Sequence, residues 1–89
     1  MLHGNYPNPF AISTKILFDL PAPARISVSV VDVLGRVVKV SPLQEFTAGR
    51  GRVLDLNTEG LASGVYFYGL RINMEGRSLT QSGIMSLLR

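Results

Sequence analysis

Six carboxylates, Asp19, Asp32, Glu45, Asp55, Glu59 and Glu75, and one histidine, His3, are the side chains with the acid–base chemistry of a catalytic site. Glycoside hydrolysis needs two carboxyls facing one scissile bond at a fixed separation. Asp32 and Asp55 are the pair that neighbouring strands could bring together, yet no spacing in the chain aims two of the six at a common atom. Solvation of strand edges and hydrogen bonding in turns is their plainer role. His3 lies in the N-terminal lead beside Gly4, where terminal segments are usually mobile, and no function is expected of it. With no second histidine and no cysteine, the sequence offers no His/Cys cluster for zinc and no Ser/His/acid set with a base fixed in the fold.

Other patterns also fall short of a site. "DVLG" at 32–35 is too short for a calcium loop, which draws several oxygen ligands from alternating positions. "TAGRGRV" at 47–53 has neither the glycine–lysine spacing of a phosphate-binding loop nor a following helix, so a loop with two solvated arginines is expected. Tyr66, Phe67 and Tyr68 beside Arg71 contain the ingredients of a stacking platform for single-stranded nucleic acid. Alternation, however, sends Tyr66 and Tyr68 to the same face as Leu70 and Ile72, which favours core packing. No cofactor, metal or nucleic acid is therefore expected.

The elements that would carry these residues are strands. Apolar residues recur with a period of two in short segments rich in Val, Ile, Tyr and Phe. In "TKILFDL", Ile16, Phe18 and Leu20 share a face, and Pro21 and Pro23 stop the ladder. "RISVSVVDV" puts Ile26, Val28 and Val30 on one side. "DVLGRVV" then reads as a hairpin with a three-residue connection, Gly35 taking positive φ and forming a bulge, and Arg36 to Val40 returning. A loop, "LQEFTAGRG", precedes "RVLDL", whose Leu54 and Leu56 share a face; another turn spans Leu61 to Gly64. "GVYFYGLRINM" aligns Tyr66, Tyr68, Leu70, Ile72 and Met74, and Glu75-Gly76 leads as a hairpin into "RSLTQSGIMSLLR", where Gly83 could mark a bulge. Six or seven such strands, with no crossover segments for parallel pairing, predict a small antiparallel β-sandwich; a partly open barrel fits the spacing equally.

Composition sets the outer bounds. A chain of 89 residues makes one domain, and with no cysteine it rests on packing and backbone hydrogen bonds. The apolar fraction of 46% with 17% charged residues belongs to a folding globular chain. The net charge of +3 is scattered, only "AGRGR" bringing two arginines together. No apolar run reaches the ~18 residues of a membrane helix. The first residues lack the basic flank and apolar core of a secretory signal, so export is expected to be directed by another part of a longer precursor.

Five motifs occur in order: "NYPNPF" at 5–10, "ILFDLP" at 16–21, "VSVVDVLGRVV" at 28–38, "LASGVYFYGL" at 61–70 and "MSLLR" at 85–89. Together they resemble the C-terminal sorting domains of the type IX (Por) secretion system over nearly the whole chain. The resemblance implies an all-β, immunoglobulin-like sandwich at the C-terminus of secreted proteins of Bacteroidota and their relatives, acting as a non-catalytic sorting signal. It implies a cargo domain covalently attached upstream and recognition by an outer-membrane translocon. It further implies a sortase-like surface peptidase, with the cargo released or joined to an anionic lipopolysaccharide, and so a secreted or cell-surface location. Residues 1–10 would be the lead joining cargo to label, held extended by proline and asparagine and pinned by Tyr6 and Phe10, and 11–89 the sorting domain.

Carried over by motif, Gly35 and Arg36 match the "LGR" turn, Gly64 and Tyr66 the "GxY" element, and Met85, Leu87, Leu88 and Arg89 the C-terminal recognition end. The chain departs at Ala11-Ile12, where the family continues Asn-Pro, and at Ile84 and Arg89, where lysine is usual. Each residue also has a structural role to weigh: glycines at positive φ spare about 1–2 kcal/mol, and truncating a buried aromatic costs about 3–5 kcal/mol. Two other functions fit such a scaffold. One is an accessory polysaccharide-binding module of an extracellular enzyme; the other is a structural sandwich like the immunoglobulin-like domain of the flagellar hook-capping protein, which shares "GVY"-type motifs.

Overall fold

The computed structural model describes residues 2–6 and 13–88. Its eight strands are β1 (Leu2–Tyr6), β2 (Ser13–Leu20), β3 (Ala24–Val31), β4 (Val37–Val40), β5 (Gln44–Phe46), β6 (Gly49–Asn57), β7 (Gly64–Met74) and β8 (Arg77–Leu87). They form two antiparallel sheets, β1-β2-β6 and β4-β3-β7-β8, with β5 also pairing β3. This is the expected sandwich rather than the open barrel.

The period of two decides what lies between the sheets. Ile16, Phe18 and Leu20 of β2 and Leu54 and Leu56 of β6 face Ile26, Val28 and Val30 of β3, Tyr66, Tyr68, Leu70 and Ile72 of β7, and Met85 and Leu87 of β8, all buried. Each fully buried aliphatic or aromatic side chain of this kind favours folding by roughly 1.5–3 kcal/mol over its exposed state.

The strand count exceeds the sequence estimate because two strands lack the pattern that betrays a strand. β1 lies in the lead and pairs with β2, Leu2 opposite Phe18 and Tyr6 opposite Lys15, with an irregularity between Leu2 and Gly4. β5 is only three residues long and falls in what read as a loop. It continues the edge that β4 begins. Ser41 bridges the two, its backbone N–H bonding to the Val28 carbonyl at 2.8 Å and its Oγ accepting from the Val28 N–H at 2.9 Å. Pro42, with no N–H to offer, then interrupts the ladder.

Both expected hairpins form. Gly35 has φ 82° and its N–H reaches the Asp32 carbonyl at 3.0 Å, while Asp32 N–H reaches the Arg36 carbonyl at 3.0 Å, giving a three-residue connection with a register shift beyond it. Glu75 and Gly76 take φ 52° and 74°, the two left-handed positions of a tight two-residue hairpin. Gly83 is not a bulge: β7 and β8 pair without a register shift from Gly64↔Leu87 to Met74↔Arg77. It stands opposite Tyr68, and a Cβ there would overlap the Tyr68 ring. The glycine makes room for the tyrosine.

Candidate functional site

Of the sequence's possible catalytic groups only His3 and Asp19 meet among the described residues, and no third such group joins them. Asp32 lies in the β3–β4 turn at the edge of the larger sheet and Asp55 in β6 of the smaller one, each bound to a cation: Asp55 Oδ1 to Lys15 Nζ at 3.0 Å, Asp32 Oδ2 to Arg36 Nε at 2.8 Å. The cross-strand neighbourhood that strands could have given that pair is not formed, and two separate ion pairs stand instead. Among the described residues no three His, Cys, Asp or Glu side chains come together. His3 is not idle, because its place in β1 sets its Nε2 2.7 Å from Asp19 Oδ2, while Asp19 Oδ1 accepts the Gly51 N–H at 2.9 Å. One carboxylate thereby ties β1, β2 and β6, and the Gly51 amide, then the His3 ring, hold its pKa below the usual value. Nor are both arginines of "AGRGR" solvated. Arg50 is exposed, whereas Arg52 is half-buried with its guanidinium donating to the Ala48 carbonyl at 2.9 Å.

The motif residues do gather. Val31, the last residue of β3, pairs with Phe67 near the start of β7, so the β3–β4 turn carrying Gly35 and Arg36 projects past the same sheet end at which β7 begins. There Gly64 pairs with Leu87 and Tyr66 with Met85, and Leu88 follows. Three segments distant in sequence therefore meet at one end of the larger sheet.

Within this end the residues do different work. Asp32 is its anchor, accepting N–H groups from Leu34 at 2.9 Å and Arg36 at 3.0 Å as well as the Arg36 guanidinium. The Arg36 amide first, with the guanidinium after it, holds the Asp32 pKa down. Turn hydrogen bonding is the plainer role expected of the carboxylates from sequence, and Asp at the first position of a turn followed by glycine is the signal that singles out Asp32. The Tyr66 hydroxyl donates to the Ala62 carbonyl at 2.6 Å, pinning the connection before β7 as the tyrosine corner does in immunoglobulin-like sandwiches. Tyr66, Met85 and Leu87 are buried; Gly35, Arg36, Gly64 and Leu88 are exposed. Gly64 has φ 158°, close to extended, so it is not the left-handed turn residue that Gly35 is. Arg89 and Pro7 to Ile12, including Phe10, lie outside the described residues. Tyr6 is 72% exposed, so β1 is held by its pairing with β2 and by Asn5 Nδ2 donating to Thr14 Oγ1 at 3.2 Å rather than by the Tyr6 ring.

The opposite end carries a shallow cavity of about 580 Å³ bounded by Pro23, Arg25, Glu45, Phe46 and Asn73. Phe46 packs edge-on against Phe18, with centroids 5.1 Å apart, and Arg25 Nε lies 3.3 Å from Glu45 Oε1. Among the described residues no helix is long and apolar enough to cross a membrane.

Residues 5–86 match the family model described as "Secretion system C-terminal sorting domain". The crystal structure of CopC from Methylosinus trichosporium OB3b is similar in fold, with a TM-score of 0.67 and 21% identity over 98% of this chain and 91% of that one. No curated protein matches.

Proposed function

The chain belongs to the secretion system C-terminal sorting domain family, and on that premise we propose that it is a non-catalytic label directing an attached cargo protein through the type IX system to the cell surface or beyond. Its partners are the outer-membrane translocon, a sortase-like peptidase and the cargo joined upstream through the lead of residues 1–10; the cargo is then released or attached to lipopolysaccharide. The observation that carries this reading is the convergence of the Gly35–Arg36 turn, the Gly64–Tyr66 start of β7 and the Met85–Leu87 end of β8 on one sheet end.

A sorting signal needs a surface that other proteins can recognise, and the motif residues divide accordingly. Tyr66, Met85 and Leu87 build the end from inside; Gly35, Arg36, Gly64 and Leu88 present it. Arg36 is the informative position. Its side chain is 72% exposed and its ion pair is of the (i, i+4) surface kind, worth under about 1 kcal/mol.

The test fuses residues 1–89 to a reporter bearing a periplasmic signal, in a host with this secretion system. The reporter is expected outside the cell, with Arg36→Ala lowering the exported fraction and Arg77→Ala, at the β7–β8 hairpin of the other end, leaving it unchanged. Periplasmic retention of a fusion whose domain is folded contradicts the proposal.

A further inference from the structure

The outer face of the larger sheet should be wetted, and over most of its length it is. Ser27, Arg71 and Thr80 are cross-strand neighbours there, and Ser29, Gly69 and Ser82 form the next row, with the exposed Val40 at its β4 end. One row further toward the motif end the chemistry changes: Val37 pairs with Val31, Val31 with Phe67, and Phe67 with Ile84, an apolar row crossing β4, β3, β7 and β8. Val37 is 61% exposed, Phe67 40% and Ile84 59%, while Val33 and Leu34 in the adjoining turn are 68% and 74% exposed. Scattered surface apolar residues need no explanation, but a continuous row set by register is a feature of interaction surfaces.

Charge says what would cover it. Arg36 exposes 72% of its side chain at one end of the row, whereas Asp32, its counterion, is tucked into the turn at 14%. Arg71 is exposed about 13 Å along β7 from Phe67, a spacing of four strand residues, and has no salt-bridge partner among the described residues. No carboxylate stands in the rows from Ser27 to Phe67. The patch is therefore apolar with cations turned outward.

We infer that this row is a docking surface for a protein partner presenting an apolar ridge flanked by carboxylates. The inference rests on the sorting reading and identifies the face of the domain that the export machinery grips. A membrane fits less well. An anionic bilayer contributes only about 1 kcal/mol for each basic residue near it, and the face offers two near the row, Arg36 and Arg71. The third, Arg25, lies further off and is paired with Glu45. Val31, Val37 and Ile84 are short branched side chains lying on a sheet, not a protruding apolar wedge.

The experiment measures export of the fusion of residues 1–89 to a reporter in a type IX host, with the melting temperature of each isolated domain as a folding control. Phe67→Ser combined with Ile84→Ser is expected to lower the exported fraction about tenfold, the effect of removing a central contact in an interface. Arg71→Glu, which leaves the apolar row in place, is expected to lower it as well, and Arg71→Lys to retain most of it. Normal export of both the double variant and Arg71→Glu, alongside export of the unaltered fusion, overturns the surface alone; retention of the unaltered, folded fusion overturns the sorting reading and the surface with it. The isolated domain is also sedimented with phosphatidylcholine vesicles containing phosphatidylglycerol. No co-sedimentation is expected, and binding that Phe67→Ser abolishes would replace the protein partner with a membrane.

Discussion

Tyr66 donates its hydroxyl to Ala62 from a side chain that is 7% exposed, so ring and hydroxyl contribute separately. Tyr66→Phe removes only the hydrogen bond and is expected to cost about 1 kcal/mol in urea unfolding, against about 3–5 kcal/mol for Tyr66→Ala. Loss of export in Tyr66→Ala alone thus reports unfolding, while Tyr66→Phe should export nearly as the parent does. Gly83→Ala forces a methyl into the Tyr68 ring and is expected to lower stability by about 1–3 kcal/mol; if Tyr68→Ala is made first, that penalty should largely vanish, a coupling a double-mutant cycle measures. In the folded state the hydrogen bonds to Asp19 and Asp32 hold both pKa values below the usual carboxylate range. Their ionised forms are favoured in the folded state, so the stability they contribute is present above the unfolded pKa and is lost as pH falls through the folded values. The urea midpoint should therefore drop from neutral pH to about pH 3, and the drop should be smaller in the Asp19→Asn, Asp32→Asn double variant. An equal drop in both would exclude these carboxylates as its source.

At the scale of the strand, alternation was legible wherever one face is buried. Period alone points Ile16, Phe18 and Leu20, then Ile26, Val28 and Val30, inward, and all six are buried. β1 and β5 were not legible: Leu2–Tyr6 has only half-buried or exposed positions, and Gln44–Phe46 is too short to show a period. Gly83 misled for a related reason. A glycine inside a strand marks a bulge or a close approach equally well, and only the pairing with Tyr68 distinguishes them. β1 nevertheless covers the edge of β2 and reaches the other sheet, where Leu2 N–H bonds to Gln81 Oε1 at 2.9 Å. Deleting residues 1–6 is expected to speed hydrogen exchange at Lys15 to Phe18, which β1 pairs with, while amides shared by β3 and β7 keep their protection. Uniform loss of protection would make β1 integral to folding rather than an edge cover.

For the molecule as a whole, the fold class followed from period and spacing, but the arrangement of the motifs in space did not. Sequence order separates the Gly35 turn from Met85 by most of the chain, and only the register of β3 on β7 and of β7 on β8 shows that they share an end. The same register makes a row of Val37, Val31, Phe67 and Ile84, which period-two reading could place outward strand by strand but could not align across strands. The role proposed for this scaffold is that of a label read by an export apparatus. It is tested most directly by the extracellular fraction of a signal-bearing reporter fused to residues 1–89, measured in a type IX host and in the same host lacking the outer-membrane translocon. The account predicts a reporter outside the first cells and in the periplasm of the second; equal distribution in both would contradict it.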